Sequence, residues 1–200
     1  MAKLSFSKAS LHREGKKLKL YKQYLPSLDL KRQQLMVERA RVVAELEETE
    51  NLIEQCRKIV FESLPMLSNR DIDLSGLVQV HRVTVSEENI VGIRVPVLAA
   101  VEVNTTPYSS YSRPHWVDQV VIQLKSMLEL KLQLQIQQRR VDILEKAVKK
   151  ITQKVNLFEK VLIPKTQQNI RKISIFLSDA ERADVVRAKI TKQNRLKKGL

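Results

Sequence analysis

The sequence predicts a mainly α fold: a long antiparallel two-helix coiled coil with a small β-hairpin inserted between the helices. Three observations predict it. Apolar residues recur every seven positions in both halves of the chain. The stretch between those halves alternates with period two. Turn-forming residues are scarce, with four glycines and six prolines among 200 residues, 4% aromatic side chains and 29% charged ones. A seam of period 3.5 sustained over several heptads must face a partner helix, and so few turn residues suit long helices better than a many-stranded fold.

The first predicted element, within 1–64, is a helix with a basic start. Leu28, Leu35 and Val42 form one seven-residue series, continued by Thr49 and Cys56. Leu25, Leu46, Ile53, Val60 and Leu67 form its companion, with Arg32 and Arg39 in the charged slots. Glu45, Glu47, Glu48, Glu50 and Glu54 suit a solvated outer face. The lone cysteine, Cys56, falls on the seam and cannot form an internal disulfide, so it reads as a small core residue in a reducing compartment.

The second element, the insert at 65–116, opens where Pro65, Asn69, Asp71, Asp73 and Gly76 break the helical period. Leu77–Val85 and Ile90–Val97 alternate apolar and polar residues, and Ser86-Glu87-Glu88-Asn89 between them predicts the turn of a hairpin. Pro96 suits an edge or strand-end position. Leu98–Val103 either extends the second strand or forms a third. A lone hairpin is marginal in water, so it must pack on the helices or on a partner.

The third element, 117–200, carries the clearest seam. Met127, Leu134, Val141, Val148, Val155 and Leu162 recur at seven. Leu130, Leu144, Ile151 and Phe158 form the companion series, interrupted by Gln137 and ended by Lys165. Pro164 removes one helix hydrogen bond and predicts a local kink. At 1.5 Å per residue, helices over 5–64 and 117–195 would span roughly 90 and 120 Å, a rod. An antiparallel hairpin within one chain is favoured over an intermolecular parallel dimer because both halves are present, and Leu46 is then expected opposite the stretch Val141–Val148.

Charge is distributed unevenly. Residues 1–41 hold eleven Lys/Arg and three acids, residues 182–200 seven and one, which together account for the net +14 and leave the middle neutral. An antiparallel hairpin brings both basic ends to one tip, bearing Lys8, Arg13, Lys16, Lys17, Arg182, Arg187, Lys189 and Lys192.

Catalysis has no support. Gly15, Gly76, Gly92 and Gly199 make no phosphate loop. His12, His81 and His115 are scattered, one cysteine builds no zinc site, and Asp71 and Asp73 suit a turn. His115-Trp116 reads as an aromatic staple at a helix start. No metal or cofactor is expected. There is no apolar leader and no run long enough to cross a membrane, so a cytoplasmic protein without direct membrane insertion is expected; the Asn104-Thr105-Thr106 sequon would stay idle there.

Two clusters carry a family resemblance. Val161-Leu162-Ile163-Pro164-Lys165, then Ile170-Arg171-Lys172-Ile173, then Glu181-Arg182 with Arg187, Lys189 and Lys192, resembles the C-terminal signature of the D subunit of V/A-type ATPases. Leu18-Lys19-Leu20-Tyr21-Lys22-Gln23-Tyr24-Leu25-Pro26 and Leu30-Lys31-Arg32-Gln33-Gln34-Leu35 look like its bacterial branch. The usual acid closing the second motif is missing, and Ala183-Asp184-Val185-Val186 lacks an aromatic pair common after Glu-Arg. The resemblance covers essentially the whole chain.

The resemblance implies a rotor axle, the central stalk that couples ATP hydrolysis or synthesis to proton or sodium transport. Its partners would be the catalytic and nucleotide-binding subunits of the hexamer, the small F subunit of the central stalk and a membrane-side collar subunit of C/d type. The complex would lie on the cytoplasmic face of the cell membrane, and the shaft itself would not be catalytic. The rival readings are a basic coiled coil that binds nucleic acid, whose binding would fall steeply with salt, and a scaffold protein. Neither explains the hairpin, and no groove-reading motif is visible.

Overall fold

The computed structural model describes residues 5–68, 74–108 and 113–197. Asn69, Asp71, Asp73 and the serines and tyrosine of 109–112 lie outside the described residues. The chain is mainly helical with one two-stranded antiparallel sheet. It divides into two compact units, one formed by residues 1–31 with 151–200, the other by residues 32–150.

Helix α1 covers Lys8–Ser63. It starts where the Ser7 hydroxyl accepts the backbone N–H of Ser10 at 3.2 Å, satisfying one of the donors a helix leaves open at its start. Pro26 lies inside it without ending it, although its ring nitrogen can donate nothing to the carbonyl four residues earlier. Pro65 ends α1, because the residue before a proline is pushed out of the helical region. A single 3-10 turn, Pro65–Ser68, follows.

In the unit of residues 32–150, strand β1 (Val78–Ile90) pairs antiparallel with β2 (Ile93–Thr105). The turn is centred four residues beyond the expected Ser86–Asn89, which is strand: Ser86 faces Val97 and Asn89 faces Arg94. Val91 and Gly92 make the turn, with φ of 52° and 82°. Positive φ at both central residues is the two-residue geometry that matches strand twist, and Gly92 supplies it freely. Leu98–Val103 extends β2 rather than forming a third strand.

Two irregularities interrupt the register, leaving His81 without an opposite residue in β1 and Ala99 without one in β2. Such bulges shift the alternation of side chains. Here they leave Val80, Val83 and Val85 opposite Val103, Val101 and Leu98, so apolar residues pair across the ribbon despite the broken period.

The hairpin rests on helix α2, Trp116–Asn156. At its base Leu77, Val117 and Val121 form a buried cluster that Trp116, Leu74 and Tyr108 flank. Trp116 is thus a packing residue at the helix start. The Tyr108 hydroxyl donates to the Asp118 carboxylate in the first turn of α2, which raises the phenol's pKa. Arg113 lies over the Tyr108 ring, 5.7 Å from its centroid. Near the turn, Arg140 Nη2 meets Glu88 Oε2 at 3.3 Å. Anchored at both ends, the ribbon does not rely on its own two strands for stability.

In the unit of residues 1–31 and 151–200, α2 passes into a π-helical segment, Leu157–Leu162, and then α3, Ile163–Lys197. Pro164 falls in the first turn of α3, where its missing N–H and its ring disturb the preceding turn. The π segment is the observed outcome at the site of the expected kink. It accommodates one extra residue relative to an α-helix. The effect shows one turn on: Lys165, which the seven-residue count places on the seam, is exposed, and Thr166 is buried at 5% exposure, followed by Ile173 at 0%.

Val91 occupies a left-handed conformation that a β-branched side chain tolerates poorly. Replacing Val91 with Asn should therefore stabilise the protein by about 1 kcal/mol, read as a higher urea midpoint with an unchanged slope.

Candidate interaction site

The residues singled out by the sequence fall into two groups, the apolar seam and the basic end. Of the seam, Leu35, Val42, Leu144, Ile151 and Val155 are buried. Leu28, Leu46, Ile53, Val60, Met127, Leu134, Val141, Val148, Phe158 and Leu162 are half-buried, and none is exposed. A narrow stripe at this spacing is the part of a helix that a neighbour covers.

Within the unit of residues 32–150, cross-helix contacts run in opposite chain directions. Arg39 Nη2 meets Glu145 Oε1 at 2.7 Å, and the Cys56 thiol donates to Gln123 Oε1 at 3.5 Å. Counting seven residues from the first of these pairs sets Leu46 level with Gln138, three residues short of the expected stretch Val141–Val148. The seven-residue count left that offset open, because any shift by a heptad preserves the apolar match. Polar residues share the stripe. Thr49 is buried and returns its hydroxyl to the Glu45 carbonyl at 2.9 Å. Gln137 is buried with its side-chain oxygen unpartnered among the described residues.

In the other unit, Tyr21 meets Phe158 edge-on at 5.4 Å and Phe6 packs on Phe176 at 5.0 Å. Between them sits a residue that was not singled out, Glu14, only 9% exposed. Its carboxylate accepts from Lys17 Nζ at 2.7 Å and from the Asn169 amide at 3.3 Å. The Lys17 ammonium, then the Asn169 amide, hold its pKa below the ordinary glutamate range against the opposing cost of burial. The signal lay in the heptads. Counting back from Leu28 by sevens gives Tyr21 and Glu14, and counting on from Leu162 gives Asn169. Both series end in polar residues, and these meet.

The eight basic residues are all exposed. Lys8 Nζ lies 3.1 Å from Glu181 Oε1, which brings the two basic groups together at Lys8 and Arg182. From that level they diverge. Arg13, Lys16 and Lys17 run back along α1, and Lys16 lines a shallow depression with Lys8, His12 and Ile170. Arg187, Lys189 and Lys192 continue on α3, where residues 181–196 are exposed throughout. At 1.5 Å per residue the cations cover about 30 Å of helix rather than one cluster. Arg182 and Arg187 pair within α3 with Asp179 and Asp184 at 4.0 and 3.4 Å. Lys16, Lys189 and Lys192 have no acidic partner among the described residues.

No group of three or more His, Cys, Asp or Glu among the described residues could hold a metal ion. No helix among them is long and apolar enough to cross a membrane.

Long helices that bury a seven-residue stripe, carry a β-ribbon and bear exposed cations at one end define a helical protein without a metal centre among the described residues. The chain belongs to the ATP synthase D-subunit family, whose model matches residues 10–193. Its relatives include the V-type ATP synthase D subunit of Borreliella burgdorferi, 33% identical over 99% of this chain and 98% of the relative. Those of Chlamydia muridarum and Chlamydia felis are 32% and 30% identical over 96% of this chain, and over 96% and 93% of the relatives.

Two outcomes follow. Glu14 has a depressed pKa in the folded state, so its contribution is present above the ordinary glutamate range and lost as pH falls through the lowered value. Urea unfolding of the protein should show stability dropping below about pH 4, and Glu14→Gln should flatten that slope. In a Cys56→Ala background, Val42→Cys with Val141→Cys should be joined by a short bismaleimide within one chain. Only dimeric products on a denaturing gel would indicate a parallel intermolecular pair.

Proposed function

We propose that this protein is the central-stalk shaft of a V/A-type ATPase or ATP synthase, turning with the membrane sector inside a catalytic hexamer. The observation that carries this reading is membership of the D-subunit family across nearly the full chain. The protein's part is mechanical: it binds and transmits, and the bond-breaking belongs to the hexamer. The complex sits on the cytoplasmic face of the membrane, and the shaft is peripheral to it.

The physical features suit that part. A torque carrier must be stiff, and the seam residues of α1 and α2, with those of α3, make an antiparallel two-helix coiled coil. The element division follows, with a basic first helix over 1–64, an insert over 65–116 and a second helical arm with a basic tail over 117–200. The basic residues Lys8, Arg13, Lys16, Lys17, Arg182, Arg187, Lys189 and Lys192 face the catalytic and nucleotide-binding subunits. Exposed charge contacts are worth roughly 0–1 kcal/mol each, so many of them hold the shaft in place while each breaks cheaply as it turns. A distributed field of positive charge also steers association with an acidic surface.

The neutral stretch, with the ribbon of β1 and β2, binds the small F subunit of the stalk and the membrane-side collar. Val80, Val83 and Val85 remain more than a third exposed on that ribbon, an apolar surface suited to a neighbour. The nucleic-acid and scaffold readings are disfavoured by the family membership, and the cations alone do not revive them.

Single alanine substitutions among the eight cations should change ATPase activity of the assembled complex by less than about threefold. Reversing Lys8, Arg13, Arg187 and Lys189 together should prevent assembly with the hexamer, assayed by co-purification. Raising salt should weaken reconstitution of the unaltered shaft, since screening shortens the reach of surface charge. Salt-sensitive nucleic-acid binding with no association with the hexamer would overturn the reading.

A further inference from the structure

The shallow depression beside Lys16 lies within the unit of residues 1–31 and 151–200, between α1 and α3, and measures about 720 Å³. Half-buried Leu11 and Ile170 line it, Gly15 opens into it, and Lys8, Lys16 and Lys19 border it. Two of these features weaken the chain by itself and return nothing within it. The first is Gly15, which stands inside α1, where glycine is less favourable than alanine. Its φ is not positive, and a Cβ there would meet no heavy atom within 4 Å. Neither a turn nor a close contact among the described residues calls for a glycine.

The second feature is the pair Lys16 and Lys19, three residues apart on one helix face, where like charges repel. Neither has an acidic partner among the described residues, and the carboxylates nearby are committed. Glu14 is engaged by Lys17 and Asn169, Glu181 by Lys8, Asp179 by Arg182 and Asp184 by Arg187. Residues 1–28 and 160–200 contain no other Asp or Glu. The negative charge that suits these two lysines must come from outside this part of the chain.

Gly15 adjoins Lys16, so the bare backbone and the unpaired charge share one place. The distance between packed helices depends on the side chains at their contact, and a glycine marks where another backbone can come closest. Lys16 and Lys19 are separated by about 4.5 Å along the helix axis. Carboxylates three residues apart on a helix keep that interval, whereas same-side residues of a strand are roughly 6.7 Å apart.

We propose that this depression seats an acidic helix of another subunit, which approaches α1 most closely at Gly15 and pairs two carboxylates, three or four residues apart, with Lys16 and Lys19. The inference rests on the reading of the chain as the shaft of a larger ATPase and gives one place on its basic end a defined partner geometry.

The test uses the full chain in the assembled complex and a zero-length carbodiimide, which joins an amine to a carboxylate only where the two touch. The expected cross-links run from Lys16 and Lys19 to two acidic residues of one other subunit, three or four positions apart. Gly15→Leu should raise the Tm of the isolated chain, because leucine favours a helix and meets nothing there. In the complex the same substitution should cut the cross-link yield roughly tenfold, because its bulk fills the point of approach. Ala9→Leu, exposed on α1 and outside the depression, should leave the yield unchanged. A lowered Tm for Gly15→Leu, an unaltered yield, an equal loss with Ala9→Leu, or cross-links that are missing or remain within this chain overturn the proposal and leave the shaft reading standing. Failure of the unaltered chain to co-purify with the hexamer overturns the shaft reading itself.

Discussion

A helix of 56 residues is held in water by what it lies against. Propensity contributes little net stability, and an amphipathic face must be covered for such a helix to persist. Here the covered stripe is narrow, so the stability of α1 and α2 is spread over many half-buried residues rather than gathered in one core. Among the fully buried side chains are Leu35 and Val42 on α1, Leu144 on α2 and Ile173 on α3. Every other feature is arranged around that stripe. The ribbon is fastened to α2 at two places, and charged residues such as Arg39, Glu145 and Lys17 flank the stripe.

Polar residues within the stripe give it direction. A purely apolar seam matches equally well after a slip of seven residues. A slip would part Glu14 from Asn169 and leave its nine-tenths-buried carboxylate with only the Lys17 contact of its own helix, a cost that an apolar pair does not carry. The Cys56–Gln123 and Arg39–Glu145 contacts add a weaker preference in the other unit. Alignment is therefore set by a few polar pairs, as single buried polar residues set register in other helical pairs.

Much of this was legible in the residues. The spacing of Leu28, Leu35 and Val42 and of Met127 to Leu162 marked the stripe, and β-branched alternation marked the ribbon. The turn was misplaced because Ser86-Glu87-Glu88-Asn89 is polar, and polarity is a weaker guide than backbone freedom. Gly92 was the only glycine between the strands, and its tolerance of positive φ fixed the reversal there. Bulges at His81 and Ala99 then kept the valines paired across the ribbon. The π segment was hidden for a related reason. Pro164 signals a disturbance but not its form, and only the switch of burial from Lys165 to Thr166 reveals the inserted residue. The cations' charge was plain from composition; their spread along the helices depended on where Lys8 meets Glu181.

The exposed run at residues 181–196 has a consequence for where α3 opens most easily. With no covered face, its helical turns are retained by backbone hydrogen bonds and short-range pairs such as Arg187 with Asp184. Sixteen or so residues in that condition sit near the length at which an isolated helix is barely favourable. Unwinding a final turn is then cheaper there than bending the packed helices below. Compliance in α3 is therefore concentrated in residues 181–196, and stiffness is kept where the stripe is covered.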